Sequence, residues 1–352
     1  MNISHTSPTL TRAAIAALVV VALTLVPRLA PAQNSQVAPQ PKTQSRAFVV
    51  NILDSSVSEI DLVAMKELRT FTAGPRPYYP CVSGDNSVMA VTVEGEGVVK
   101  FYDVATLRQK GEMKVGKMYA EHLMSLPDGR TAVLASRFRN ALLFIDLFEM
   151  KEKFAVEIPN PHNIRIGATG RYIYVQSKLD PAISVVDIQE RKIVKHHPVK
   201  LTPRGLAISP DEKIVWFGAN WVNAVFGMDV ETGKILHVIA MPAPSNAPTI
   251  QENTYHGLEF IDDHTLLAAN EGNSTLDVID TRTGTWVFRT TDVMRPAGLL
   301  KLAGTDGEFI ITNKADNSVV RARLAPDRSI TMLRRVVVGK GEDLFAKRFV
   351  IF

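Results

Sequence analysis

The chain has 352 residues, 40 Lys and Arg against 36 Asp and Glu, a formal charge of +4 and one cysteine. Setting aside the two arginines of residues 1–32 lowers the charge to +2, too little clustered basic surface for a nucleic-acid binder. The lone Cys81, in "PCVSG", excludes an internal disulfide and a Cys-type metal cluster, and it reads as a buried, inert thiol.

Residues 1–32 form the first predicted element. Arg12 precedes an apolar run of 14 residues from Ala13 to Val26, and Ala30, Pro31 and Ala32 supply small residues before Gln33. This pattern predicts a secretory signal peptide cut after Ala32. The run falls short of the roughly 20 residues that span a bilayer. The mature chain is therefore expected to be periplasmic or secreted, with no membrane span. Residues 33–46, rich in Gln, Pro and Ser, read as a flexible leader.

From residue 47 to 352 the chain repeats itself. The segment "PNPHNIRIGATGRYIYVQSKLDPAISVVDIQERK" from Pro159 has counterparts at Thr202 and Tyr255. An Asp closes the third strand-like piece of each copy, at Asp61, Asp103, Asp146, Asp187, Asp229 and Asp280, with gaps of 42, 43, 41, 42 and 51 residues. A seventh copy carries Leu324 in that position, 44 residues on. A period near 42 is the mark of a repeat fold. Each copy holds four short strand-like pieces, as in "RGLAISP", "IVWFGAN", "NAVFGMDV" and "GKILHVIAM". No long stretch has helical periodicity. The fold class predicted is all-β: a seven-bladed β-propeller of four-stranded antiparallel blades over residues 47–352. The first copy begins at "AFVVNIL", a second strand, and the chain ends in "EDLFAKRFVIF". Pairing of that C-terminal strand with the N-terminal blade should close the ring and leave it monomeric.

The repeats resemble the YVTN family of bacterial β-propellers. The residues that carry the resemblance are "FVVN" at Phe48, "YIYV" at Tyr172, "FIITNKADNSVV" at Phe309 and "NSTLDVIDTRTGT" at Asn273, with the turns "SPDE" at Ser209 and "LPDG" at Leu126. The resemblance spans nearly the whole mature chain and implies the fold; a propeller frame hosts many unrelated chemistries. A looser similarity extends to the haem-bearing propeller domains of respiratory nitrite reductases and their cofactor-maturation relatives, which have eight blades against the seven counted here.

Loops entering the innermost strands, and those joining second to third strands, should share one face around the central channel. The residue opening each innermost strand reads Tyr79, His122, His162, Arg204, His256, Ala297 and Asp343. Three of these are His in a chain that holds only 8. His ligates metals and moves protons near neutral pH, so His122, His162 and His256 are candidate metal ligands. With Tyr79 and Arg204 they are also a candidate ligand-binding rim; the alternative is that each His caps its own loop. Further along the innermost strands, Arg165 and Glu259 stand where other copies have Ala207, Val82 or Leu300. Charges near a channel wall need partners, water or a ligand. Asn51, Asn220, Asn270 and Asn313 recur at loop starts and read as turn residues. The longest repeat carries about nine extra residues in "MPAPSNAPTIQENTYHG", leading into His256, and long insertions tend to mark the binding side.

Three functions compete. The chain would be an exported propeller holding a small-molecule ligand, a cofactor or a periplasmic protein on the channel face. It would alternatively be an oxidoreductase or cofactor-maturation relative using a divalent metal or a haem; the haem would be non-covalent, because no Cys-x-x-Cys-His is present. Or it would be a metal-dependent lactonase or lyase drawing on Glu94, Glu259, Glu271 and the three His. The binding reading is favoured, because no complete catalytic set is visible.

Overall fold

The computed structural model describes residues 45–119, 121–242, 254–339 and 349–351. Each repeat becomes a four-stranded antiparallel sheet, and seven such blades stand around a central channel. Among the described residues there is no helix, hence none long and apolar enough to cross a membrane.

The middle strands of the blades, such as Val88–Val93 and Ala141–Asp146, are buried along their whole length. They read as continuous apolar runs because a neighbouring blade covers each face. The outermost strands, such as Lys66–Thr72 and Lys192–Pro198, alternate between exposed and half-buried residues, as expected at a perimeter where one side meets water. The core lies between blades. Tyr174 and Val185 of the fourth blade pack on Leu206, Phe217 and Phe226 of the fifth. Ala47 and Ile60 of the first blade pack on Ile310 and Val319 of the seventh, which carries the core through the point of closure.

The predicted closure is present. Phe349–Ile351 pairs antiparallel with Arg46–Asn51, matching Ala47 to Ile351 and Val49 to Phe349. The first blade thus has its innermost strand from the end of the chain, and Arg46–Asn51 is paired on both sides like the second strand of the other blades.

The marker aspartates are turn residues. Asp61 Oδ1 accepts the Val63 and Ala64 amides at 2.7 and 2.8 Å, and Asp146 Oδ1 those of Phe148 and Glu149, both at 3.0 Å. Where Leu324 replaces Asp, the Ala325 amide closes the turn on the Ser329 carbonyl. These turns lie on the face opposite the histidines. On the histidine face, the amides of Glu94, Lys178, Asn220, Glu271 and Lys314 bond the carbonyls of Arg76, Asn160, Thr202, Thr254 and Arg295. The two sets of loops therefore do share one face, as the sequence predicts.

Candidate ligand-binding channel

The innermost strands are irregular at the aligned slot. In the fourth blade Pro161 pairs with Ser177 and Asn163 with Gln176, leaving His162 as an extra residue. In the sixth, Tyr255 pairs with Asn270 and Gly257 with Ala269, leaving His256 extra. The second, fifth and seventh blades shift register around Tyr79, Gly205 and Ala297. A bulge re-aims a side chain out of the sheet alternation. The amides it frees are satisfied locally: Tyr79 N donates to Thr92 Oγ1 at 2.9 Å, and Gly298 N to Thr312 Oγ1 at 2.8 Å. Glycine makes the close approach of blades workable at Gly205, whose φ is +56° and whose hypothetical Cβ would lie 2.6 Å from the Tyr255 carbonyl oxygen. In the third blade the innermost strand is short, Leu123–Ser125, so His122 precedes it instead of opening it; its carbonyl accepts the Ala135 amide at 2.9 Å.

A cavity of about 440 Å³ runs along the channel. Tyr79, His122 and His256 line it, with Asn163, Arg165 and Glu259 further along its wall. Its size falls within the range of small-molecule sites, roughly 300–1,000 Å³. The Tyr79 and His122 ring centroids are 4.4 Å apart, and those of His122 and His162 are 5.4 Å apart, edge to face. The three rings form a row across three consecutive blades. His162 and Arg204 do not line the cavity; His162 sits beside His122 at the end of the ring row. The histidines expected at the ligand-binding rim are buried. His122, His162 and His256 are 1, 6 and 6% exposed, so the imidazoles are held inside the protein. Nor do the three make the expected metal set: among the described residues no three His, Cys, Asp or Glu side chains converge to hold a metal ion. Asp343 and residues 243–253 of the insertion lie outside the described residues.

Arg165 and Glu259 come from blades two apart. Arg165 Nη1 donates to Asn163 Oδ1 at 3.3 Å and to the Ile164 carbonyl at 3.1 Å, while Glu259 Oε1 accepts the Lys301 amide at 3.3 Å. Burial pushes the Glu259 carboxyl up from its ordinary range, and the positive charges of Arg165 and Lys301 oppose that shift. No ion pair joins Arg165 to Glu259 directly among the described residues, so the cavity offers both a cation and a carboxyl group to an occupant. Cys81 also borders the cavity, with its thiol pushed up to about 12 by burial, which makes it inert at neutral pH.

Two carboxylates considered as catalytic groups hold loops together. Glu94 pairs with Arg76 at 3.2 Å. Glu271 is fully buried between Arg295 at 2.8 Å and Lys314 at 2.6 Å. The recurrent Asn residues are turn residues where their bonds are resolved: Asn51 and Asn313 donate to Ser56 and Ser318 across their own loops, and Asn270 Oδ1 accepts the Asn273 amide. Three other histidines pack elsewhere, with His196 on Ser184, His197 on the Val230 carbonyl and His237 stacked on Trp216.

Sequence reasoning missed Glu121. It is 1% exposed and adjoins His122 in the chain. Its Oε1 accepts the Arg137 amide at 3.1 Å, whereas Oε2 is buried with no hydrogen-bond partner among the described residues, as is Ser136 Oγ nearby. Burial pushes the carboxyl up to about 8, and Glu94 adds to the shift, against the opposing Arg137 amide and guanidinium. The signal available in the sequence was an acid directly before a slot histidine.

The ring of seven four-stranded blades around an axial cavity defines the chain as a seven-bladed β-propeller. Solved structures share that fold. A Kuenenia stuttgartiensis hydrazine synthase structure superposes with a TM-score of 0.70 at 17% identity, over 81% of this chain and 94% of that one. The dihydro-haem d1 dehydrogenase NirN in complex with DHE does so with a TM-score of 0.60 at 12% identity, over 83% of this chain and 73% of that one. At such identities the likeness is one of fold. No protein-family model and no curated protein matches the chain.

Proposed function

We propose that the chain is an exported, YVTN-type propeller that binds a small ligand in its axial channel. The observation that carries the reading is the convergence of Tyr79, His122 and His256 on a 440 Å³ cavity that also presents Arg165 and Glu259. Tyr79 and His122 offer a ring surface against which a planar group can stack. Arg165 matches a carboxylate or phosphate, and Glu259 accepts or donates a hydrogen bond depending on its protonation. Export rests on residues 1–32, whose apolar core and small-residue motif suit a cleaved signal.

A non-covalent haem is the second reading, favoured by the likeness to a propeller solved in complex with DHE. The donor set suits it. His122 or His256 would hold its iron through an imidazole nitrogen and Arg165 would hold an acidic substituent. Bound there, haem would supply electron-transfer or redox chemistry, while the chain would orient it and keep water from it.

The test is the visible absorption spectrum and mass spectrum of protein exported by its source organism, beside H122A/H256A and R165A variants. A stoichiometric ligand in the wild type, lost in the first variant and weakened in the second, supports channel binding; a visible chromophore selects haem. A ligand retained in both variants places the site elsewhere.

A further inference from the structure

The histidine face carries a second feature, on its surface and apart from the cavity. Exposed large apolar side chains are few on the turns of the opposite face, where Val63 and Phe148 stand out. On the histidine face Leu53 of the first blade and Met294 before the seventh stand apart, while four others gather at the loop tips of three consecutive blades: Tyr119 and Phe138 around the third, Leu179 on the fourth and Trp221 on the fifth, at 45, 43, 69 and 58% exposure. Water-exposed rings and leucines in one arc are what an interaction surface presents.

A further observation shows that this arc is built. The guanidinium of Arg137 lies 4.9 Å from the Tyr119 ring centre and 5.0 Å from that of Phe138, and the Lys117 ammonium lies 4.7 Å from Phe138. Stacked cations fix the rings as a platform before any partner arrives.

The charge of the arc selects the partner. Its loops carry Lys117, Arg137, Arg139, Lys178 and Lys200, with Arg139 tied to Glu152. Among the described residues of these loops the one exposed acid is Asp180; Glu121 is buried. We propose that this arc is the docking surface for a protein partner that presents acidic residues around an apolar contact. Aromatic and arginine side chains anchor such interfaces, and opposite charge steers the encounter. A pre-stacked, rigid platform beside the channel mouth favours a folded protein over a lipid surface, into which free rings would have to sink. The proposal does not depend on what the channel binds.

The experiment immobilises the full mature chain and passes over it the exported proteins of the source organism. Alongside run an apolar variant, F138S/W221S, a charge variant, K117E/K200E, and an opposite-face control, V63S/F148S. All substituted residues are at the surface, and thermal melting confirms that each variant is folded. The expected result is one exported protein captured by wild type and control but by neither arc variant. Once purified, that protein should bear an acidic surface, bind with a Kd roughly 30-fold weaker to the apolar variant, and lose affinity as salt rises. Equal capture by all chains, or capture of a basic protein, overturns the proposal. So does binding of wild type to phosphatidylglycerol vesicles that both arc variants abolish, or a wild-type dimer that they dissociate.

Discussion

Glu121 makes the stability of the ring depend on pH in a direction opposite to that of most carboxylates. An unfolded chain releases the glutamate proton near the ordinary value of 4.5, and the folded protein holds it up to about 8. Between these values the folded state carries one more proton than the unfolded state. Its stability therefore falls as pH rises across that window and levels out above it. At 1.36 kcal/mol per pH unit the loss is up to about 5 kcal/mol, since the carboxyl is almost fully buried and Oε2 has no hydrogen-bond partner among the described residues. Glu121→Gln keeps the shape and an acceptor for the Arg137 amide but cannot ionise. Urea unfolding of wild type and E121Q at about pH 5 and about pH 9 measures the difference. E121Q should match wild type at the lower pH and exceed it by several kcal/mol at the higher one. Equal stability of the two proteins at the higher pH would refute the reasoning, because it would mean that the ionised carboxylate finds compensation the packing does not show.

Three further perturbations bear on the fold that carries the site. Asp277 is fully buried and accepts bonds from Arg289 at 2.7 Å, Trp286 at 2.9 Å and Tyr255 at 3.1 Å. Asp277→Ala strands the guanidinium and should cost about 3–5 kcal/mol in urea, whereas an unchanged midpoint would mean the network contributes nothing. Gly205→Ala would put a Cβ 2.6 and 2.8 Å from the Tyr255 and His256 carbonyl oxygens at a φ of +56°. Left-handed strain and overpacking together should cost about 2–4 kcal/mol and disturb ligand retention through the bulge at His256; a neutral result would show that the two blades can part there without loss. Removing residues 342–352 strips the first blade of the strand paired to Ala47, Phe48 and Val49. It should lower the unfolding midpoint of the whole ring in a single transition, and a midpoint equal to that of the full chain would show that closure is not needed.

The repeat, its strand quartets and its closure were legible in the sequence because each rests on local chemistry. The period near 42 follows marker aspartates that cap the tight turns through their own backbone neighbours, and the apolar runs report strands covered on both faces. The terminal "FVIF" announced itself by completing an otherwise three-stranded first copy. Which slot residues meet the cavity was not legible. His122 and His256 line it while His162 and Arg204 do not, although all four align in the repeat. His162 and His256 are the extra residues of matching bulges, so local strand geometry does not make that choice; the packing of the blades around the channel does. The same holds for Glu121 and for the arc around Trp221. Burial of an acid and convergence of loop tips from separate blades are properties of the closed ring, in which residues some 40 or 100 positions apart become neighbours. Local sequence fixes how each blade is made, and only packing decides what the blades hold between them.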